Sequence, residues 1–189
     1  MKGLQKYVGG GVMVVVMAVV AAPAFAQAAK PPKAEVAGGY QFIRIEGDNL
    51  NKGWFADVAI HTPKVISIVG QFSNSSKSVS ESGVSGSLGI REVAGGIRAS
   101  SWANAKVTPF VQVLAGGMTA KAKATISGVS SSVADTDFGV QFGGGVNIAA
   151  SKNIGVRLNA DIVRVFHGDG AGTNYFRMAA GAVVPIGKR

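Results

Sequence analysis

The sequence predicts an all-β fold, an eight-stranded antiparallel up-and-down transmembrane β-barrel, and three observations support this. The first is strict alternation over residues 136–148. One strand face carries Phe138, Val140, Phe142, Gly144, Val146 and Ile148. The other carries Asp137, Gly139, Gln141, Gly143, Gly145 and Asn147. The second is that this pattern recurs along the chain, and the third is an N-terminal export signal. Asp and Asn suit a barrel interior whose outside meets lipid better than they suit a soluble core.

The N-terminal residues have the three parts of a secretory signal peptide. Lys2 and Lys6 are followed by an apolar run over residues 12–20 and by the small-x-small site that ends at Ala26. A transmembrane anchor is the alternative, but the run is short for a bilayer about 30 Å thick. We therefore expect a signal peptide at 1–26 that is cleaved after Ala26, a short leader at 27–34 and the barrel domain at 35–189.

Composition limits the function classes that remain. About 163 residues would follow cleavage, which suits one eight-stranded domain. There is no cysteine, so disulfides and thiolate metal sites are excluded. The formal charge is +9, and loss of Lys2 and Lys6 would leave +7. Because the basic residues are scattered singly, we expect no nucleic-acid partner and favour contacts with anionic lipid or solvent.

Eight segments carry the strand pattern. We place them at residues 35–45, 54–61, 65–74, 88–99, 107–124, 136–148, 154–166 and 174–186. Many of the 27 glycines fall inside these segments, where a narrow barrel needs room for large inward side chains.

The connections between these strands alternate in length and composition. Those near 62–64, 100–106 and 150–153 are short or modest, whereas those near 46–53, 74–87, 125–136 and 167–173 are mostly longer and rich in Gly and Ser. Eight serines lie within residues 73–87. The pattern predicts short periplasmic turns, four longer outer loops, and both termini on the periplasmic side.

The polar strand faces converge on one set of side chains. We predict a barrel-interior polar network of Asp57, Glu92, Arg98, Arg157, Asp161, Arg177, Gln71, Gln141 and Asn147. Unpaired buried charge is costly, so the three acids and three arginines should interlock in hydrogen-bonded pairs. Eight strands make a barrel just wide enough for side chains to fill. The sequence therefore favours a filled interior over a wide channel.

The aromatic residues lie mostly toward strand ends. They are Tyr40, Phe42, Trp54, Phe72, Trp102, Phe110, Phe138, Phe142, Phe166, Tyr175 and Phe176. Girdles at the membrane interfaces would explain those that face outward. For Phe55 and Phe110, an ordinary strand-forming role is the alternative.

Residues suited to catalysis or metal binding are sparse. His61 shares a strand face with Asp57 and serines are abundant, yet no nucleophile elbow is present. Two separated histidines, His61 and His167, make no convincing metal site. The run Gly143–Gly145 is not followed by the lysine of a phosphate loop. We expect no catalytic residue, no cofactor and no metal.

Several stretches carry a family resemblance that covers roughly residues 35–187. They are Gly38–Phe42, Val107–Gly117, Phe142–Val146 and Ile154–Leu158, with Asp161. They resemble the small outer-membrane β-barrel family that groups OmpA/OmpX-like barrels and short "porin family" proteins. The resemblance implies an eight-stranded barrel in the bacterial outer membrane, inserted by the outer-membrane assembly machinery, with no catalytic set to transfer. Such chains often end in an aromatic residue, whereas this one ends Pro185-Ile186-Gly187-Lys188-Arg189.

These features predict a non-enzymatic integral outer-membrane protein. It would contribute to envelope structure or to surface interaction through its extracellular loops, with outer-membrane lipids as partners and an unknown surface ligand. A narrow passive pore for ions or small solutes is the alternative. An exported lipocalin-like binder would need apolar inward faces, whereas the inward faces predicted here are polar. A lipid-modifying barrel enzyme is the weakest choice.

Overall fold

A computed structural model describes residues 30–45, 48–62, 65–81, 84–104, 106–126, 129–168 and 170–187. It has eight strands: β1 (Ala34–Ile45), β2 (Asp48–His61), β3 (Ile66–Glu81), β4 (Val84–Ser100), β5 (Val107–Ile126), β6 (Val129–Ala149), β7 (Gly155–Phe166) and β8 (Gly172–Ile186). The expected signal peptide and the start of the leader lie outside the described residues. In the described ranges, no helix is long and apolar enough to cross a membrane.

Each strand pairs antiparallel with its neighbours in the sequence, and β1 pairs with β8. The sheet is therefore a closed barrel, which confirms the predicted fold class. Pro185 takes its place opposite Glu35 in the closing ladder, although it has no amide hydrogen to donate.

The two ends of the barrel differ. We call one end the terminal rim, because β1 begins there, β8 ends there, and the connections 62–65, 101–106 and 150–154 lie there. We call the other end the hairpin rim. There the ladders run to the pairs Ile45↔Asp48, Glu81↔Val84 and Ile126↔Val129. Only two residues separate the strands in each of these three hairpins.

The predicted outer loops at 46–53, 74–87 and 125–136 are therefore wrong, and so is the expected contrast in loop length. Most of these residues continue the strands, and β3 to β6 reach 16, 17, 20 and 21 residues. A ladder is held by backbone hydrogen bonds, which Ser and Gly make as well as Val does. Serine-rich composition alone therefore does not distinguish a loop from a strand in water.

Alternation along the strands places polar side chains inside the barrel and apolar side chains outside, the reverse of the distribution in a soluble protein. The guanidinium-bearing side chains of Arg157 and Arg177 lie in the lumen with 0 % exposure, whereas Ile68 faces outward with 63 % exposure. Burying charge and exposing aliphatic surface is unfavourable in water and favourable in a hydrocarbon phase. The outward face is therefore a lipid-facing surface.

Candidate functional sites in the lumen and at the hairpin rim

All nine residues of the predicted polar network lie on the lumen side of the barrel. Eight are buried, and Asn147 is half-buried. They form two linked clusters with a small set of further residues. We call these the terminal cluster, nearer the terminal rim, and the central cluster.

The terminal cluster contains two carboxylates and two guanidiniums: Glu35, Asp57, Arg98 and Arg157. Arg98 Nη1 donates to Glu35 Oε1 at 2.8 Å, and Arg98 Nη2 lies 3.4 Å from Asp57 Oδ2. Arg157 Nη1 donates to Asp57 Oδ2 at 2.7 Å, and Arg157 also pairs with Glu35. Four strands, β1, β2, β4 and β7, are thereby joined across the lumen. Each planar guanidinium bridges two carboxylates, which lysine could not do in the same geometry.

Neighbouring polar and aromatic groups complete the terminal cluster. Arg98 Nε donates to Gln112 Oε1 at 3.0 Å, and Arg157 Nε donates to Asn147 Oδ1 at 2.8 Å. The Phe110 ring centroid lies 4.6 Å from the Arg98 guanidinium carbon and 5.1 Å from that of Arg157. The ring therefore contacts both cations in a cation–π arrangement.

The central cluster is built around Arg177. Its Nη2 donates to Asp161 Oδ2 at 2.8 Å and to Gln71 Oε1 at 2.9 Å, and its Nη1 lies 3.9 Å from Glu92 Oε2. Gln71 Nε2 in turn lies 3.1 Å from both Glu92 Oε1 and Gln141 Oε1. The cluster draws on β3, β4, β6, β7 and β8, so it fills the full width of the lumen.

Gln112 connects the two clusters. Its Oε1 accepts from Arg98, and its Nε2 donates to Asp161 Oδ1 at 2.9 Å. The polar side chains consequently form one hydrogen-bonded network along the lumen.

An apolar layer follows toward the hairpin rim. It consists of Ile43, Leu50, Ile90, Met118, Val163, Val165 and Tyr175, with Ile45 and Leu88 packed against it. The Tyr175 hydroxyl donates to Met118 Sδ at 3.2 Å. An apolar layer thus separates the polar network from the hairpin rim.

Several network residues were not predicted from the sequence. They are Glu35, Gln41, Gln112, Ser73 and Ser75. Glu35 matters most, because it gives the lumen a fourth carboxylate against three guanidiniums. The signal was present in the alternation of Glu35, Ala37, Gly39 and Gln41 with apolar and small residues.

Both histidines contact a hydroxyl and a carboxylate. His61 Nδ1 lies 2.6 Å from Ser67 Oγ, and its Nε2 lies 3.5 Å from Glu35 Oε2, all within the lumen. His167 is at the hairpin rim, with Nδ1 2.5 Å from Asp137 Oδ2 and Nε2 3.0 Å from Thr173 Oγ1. Within the described ranges, no group of three or more His, Cys, Asp or Glu side chains is arranged to hold a metal ion.

The aromatic residues divide by face. Phe55, Trp102, Phe110 and Tyr175 are buried on the lumen side or at the terminal rim. The outward aromatics are Tyr40, Phe42, Trp54, Phe72, Phe138, Phe142, Phe166 and Phe176, and all of them except Phe72 and Phe142 lie in the half of their strand nearer the hairpin rim. Trp54 contacts Phe72 at 5.3 Å and Phe138 contacts Phe166 at 6.2 Å between ring centroids. One interface of the lipid-facing band thus carries the aromatic girdle.

A family model described as the outer membrane protein beta-barrel domain matches residues 12–184. The chain belongs to this family. It is accordingly a β-barrel protein of the bacterial outer membrane, in agreement with the inverted distribution of its side chains.

Two solved structures show the same fold. Ail, the attachment invasion locus protein of Yersinia pestis, is 18 % identical, with a TM-score of 0.55 over 81 % of this chain and 99 % of that one. Neisserial surface protein A is 10 % identical, with a TM-score of 0.59 over 81 % of this chain and 96 % of that one. No curated protein sequence matches the chain.

Proposed function

We propose that this protein is a non-enzymatic structural barrel whose lumen is closed by its own side chains. On this proposal it contributes to the envelope as a rigid outer-membrane element and meets its surroundings through the hairpin rim. The observation that carries the proposal is the stacking of the terminal cluster, the central cluster and the apolar layer along the lumen.

Each of these three levels resists the passage of ions. In the terminal cluster Arg98 and Arg157 lie between Glu35 and Asp57, and all four side chains are at most 4 % exposed. Displacing any one of them would leave a buried charge without its partner, which is strongly unfavourable. The apolar layer adds a region where a dehydrated ion would find no polar partner.

Conductance in planar bilayers tests the closed lumen. We expect the refolded full-length barrel to give no discrete steps above the lipid baseline. Floatation with the vesicles and protease resistance should confirm in the same preparation that the protein has inserted. Discrete, salt-dependent steps from the native sequence would overturn the proposal.

A narrow passive pore is the second candidate, and the polar character of the two clusters favours it. In a pore the apolar layer would act as the constriction. Replacing Tyr175 and Met118 together by alanine would then raise an existing conductance of the native protein. If the lumen is closed, the native protein has no conductance to raise.

The non-enzymatic part of the proposal concerns the two histidine sites. Ser67 and His61 resemble part of a hydrolase triad with Glu35, but they are buried in the lumen away from any substrate. His167 is more accessible, and its hydroxyl partner Thr173 is a strand residue. Replacing His167 or His61 by alanine should change no hydrolytic rate on ester, amide or phospholipid substrates. A native activity that either substitution abolishes would contradict this.

We further propose three properties connected with biogenesis and surroundings. These are cleavage of the signal peptide after Ala26, insertion by the outer-membrane assembly machinery, and outer-membrane lipids as the partners of the outward face. Cleavage predicts a mature protein that starts at Gln27, which intact mass measurement on membrane-extracted protein would detect.

A further inference from the structure

A small cavity opens at the terminal rim, beside the connection 101–106. Its polar lining comes from Glu35, Trp102, Lys106, Thr108 and Asn147. The enclosed part of the cavity measures about 20 Å³, which is room for a small polar end group and not for a whole ligand.

The polar groups around this cavity are mostly hydrogen-bond donors. Trp102 is 9 % exposed, and its indole N–H meets no acceptor in the described part of the chain. A buried indole N–H usually has a partner, so this one marks a place for an acceptor. Asn147 Nδ2 adds a donor whose described contact, with Glu35 Oε2, is long at 3.4 Å. Thr108 lies opposite Asn147 in the β5–β6 ladder and brings a hydroxyl to the same face.

The acceptors beside the cavity are already engaged. The Glu35 carboxylate pairs with Arg98 at 2.8 Å and also with Arg157. Asn147 Oδ1 accepts from Arg157 Nε at 2.8 Å. The cavity therefore suits a ligand group that accepts hydrogen bonds, and not one that donates them.

One cation and an apolar wall complete the lining. The Lys106 side chain is exposed, and its backbone is fixed at both ends. Lys106 N donates to Asn104 Oδ1 at 2.8 Å, and Lys106 O accepts from Ala149 N at 2.8 Å. Val183 and Pro185 provide apolar surface in the same cavity. A ligand with a negative end group and a small aliphatic neighbour matches this combination.

The rim around the cavity exposes charge of one sign. Four lysines are exposed there: Lys30, Lys33, Lys106 and Lys152. Glu35 is the one carboxylate in the described parts of this rim, and it is buried. The rim therefore attracts an approaching anion within the screening length of the solution.

We propose that this cavity captures the free C-terminal carboxylate of a peptide on the periplasmic side of the membrane. Trp102, Thr108 and Asn147 donate hydrogen bonds to the carboxylate oxygens. Lys106 supplies the opposite charge, which strengthens such bonds. The apolar wall contacts the side chain of the last residue. The inference goes beyond the proposed function and uses it only to place the terminal rim in the periplasm.

Binding of acetyl-Ala-Ala to the full-length barrel in zwitterionic detergent tests the inference. The chain has two tryptophans, so a Trp54→Phe background leaves Trp102 emission as the readout. We expect a saturable change with the free acid. The carboxamide of the same peptide should bind about tenfold or more weakly, because it has lost the charge that Lys106 pairs with.

Substitutions separate the cavity from the general charge of the rim. Lys106→Gln and Thr108→Val should each weaken binding about fivefold or more. Trp102→Phe keeps a ring but removes the donor, and calorimetry should show a similar loss. Lys152→Gln is the matched control, because Lys152 is exposed at the same rim but does not line the cavity. It should change the affinity less than about twofold at physiological salt. Circular dichroism checks that each variant keeps the barrel.

Four results would overturn the inference. They are no saturable binding of the free acid, equal affinity for the carboxamide, equal loss in Lys106→Gln and Lys152→Gln, and inorganic phosphate that binds more tightly than the peptide with the same dependence on Lys106. Bilayer conductance reports on the lumen and not on this cavity. Failure of the closed lumen and failure of peptide capture are therefore distinguishable.

Discussion

The half of the barrel near the terminal rim and the half near the hairpin rim use the same eight strands for different chemistry. Near the terminal rim the lumen is charged, with Arg98 and Arg157 held between two carboxylates, and the outward surface is aliphatic. Near the hairpin rim the lumen is closed by the apolar layer. The outward surface there carries the aromatic girdle and six exposed basic side chains: Arg44, Lys52, Arg91, Lys121, Lys123 and Arg164. At this rim β3, β4, β5 and β6 also continue beyond the ends of the other four strands.

This difference separates the residues that stabilise the barrel from the residues that it exposes to its surroundings. The ion pairs join strands distant in the sequence, such as β1 to β7 through Glu35 and Arg157. Ladder hydrogen bonds join only adjacent strands, so the lumen network adds cross-links between strands that do not pair with each other. The residues that continue beyond the apolar layer on β5 and β6 contribute nothing to either cluster among the contacts described. We therefore expect stability to depend on the lumen and recognition on the hairpin rim.

The largest expected effect follows from removing one lumen cation. Arg157→Ala leaves Arg98 as the only guanidinium that pairs with Glu35 and Asp57, and it should lower the free energy of unfolding by about 3–5 kcal/mol. Denaturant-induced unfolding in phospholipid vesicles, followed by tryptophan fluorescence, measures this change.

Arg164→Ala is the matched control on the same strand, because Arg164 faces outward. It should change the free energy of unfolding by less than about 1 kcal/mol. Equal effects of the two substitutions would remove the distinction between lumen and surface.

A smaller effect is expected from filling space beside the central cluster. A Cβ at Gly143 would lie 2.3 Å from the Ala160 carbonyl oxygen and 2.3 Å from Asp161 Oδ1, the carboxylate that pairs with Arg177. Because backbone cannot move aside, Gly143→Ala should cost about 1–3 kcal/mol of stability in the same vesicle assay.

The outward Gly70 provides the comparison. A Cβ there would meet nothing within 4 Å, so Gly70→Ala should be neutral or stabilising by up to about 1 kcal/mol. A loss at Gly70 as large as that at Gly143 would mean that strand flexibility, not lumen packing, governs these positions.

The sequence was sufficient for the fold class and for the lumen face of each strand, because alternation with period two assigns every residue to a side. The sequence did not predict where the strands end outside the membrane. Residues 77–81 and 129–135 carry no large apolar residue except Val79, Val129 and Val133, so their sequence does not distinguish them from a loop. Their pairing comes from backbone ladders that continue those of the barrel.

Contacts within the lumen were less predictable than the face that each residue occupies. Which carboxylate meets which guanidinium depends on the stagger between strands, and alternation does not encode this stagger. Arg98 reaches Glu35 on β1, although 63 residues separate them. Gln112 was hidden in an apolar stretch, and its role as the link between the clusters follows only from its place beside Arg98 and Asp161.

The smallest effect on stability is expected from shortening the projecting hairpin of β5 and β6. Replacing residues 121–134 by Asn-Gly, a sequence suited to a two-residue turn, keeps Met118 in the apolar layer and joins the strands at Ala120 and Asp135. The free energy of unfolding should stay within about 1 kcal/mol of the native value, since the described residues of this hairpin take part in neither the lumen network nor the apolar layer. A loss comparable to that of Arg157→Ala would place the projecting strands in the folding core. If stability is retained, the hairpin can change in sequence, and so in what it binds, without loss of the fold. The lumen residues cannot.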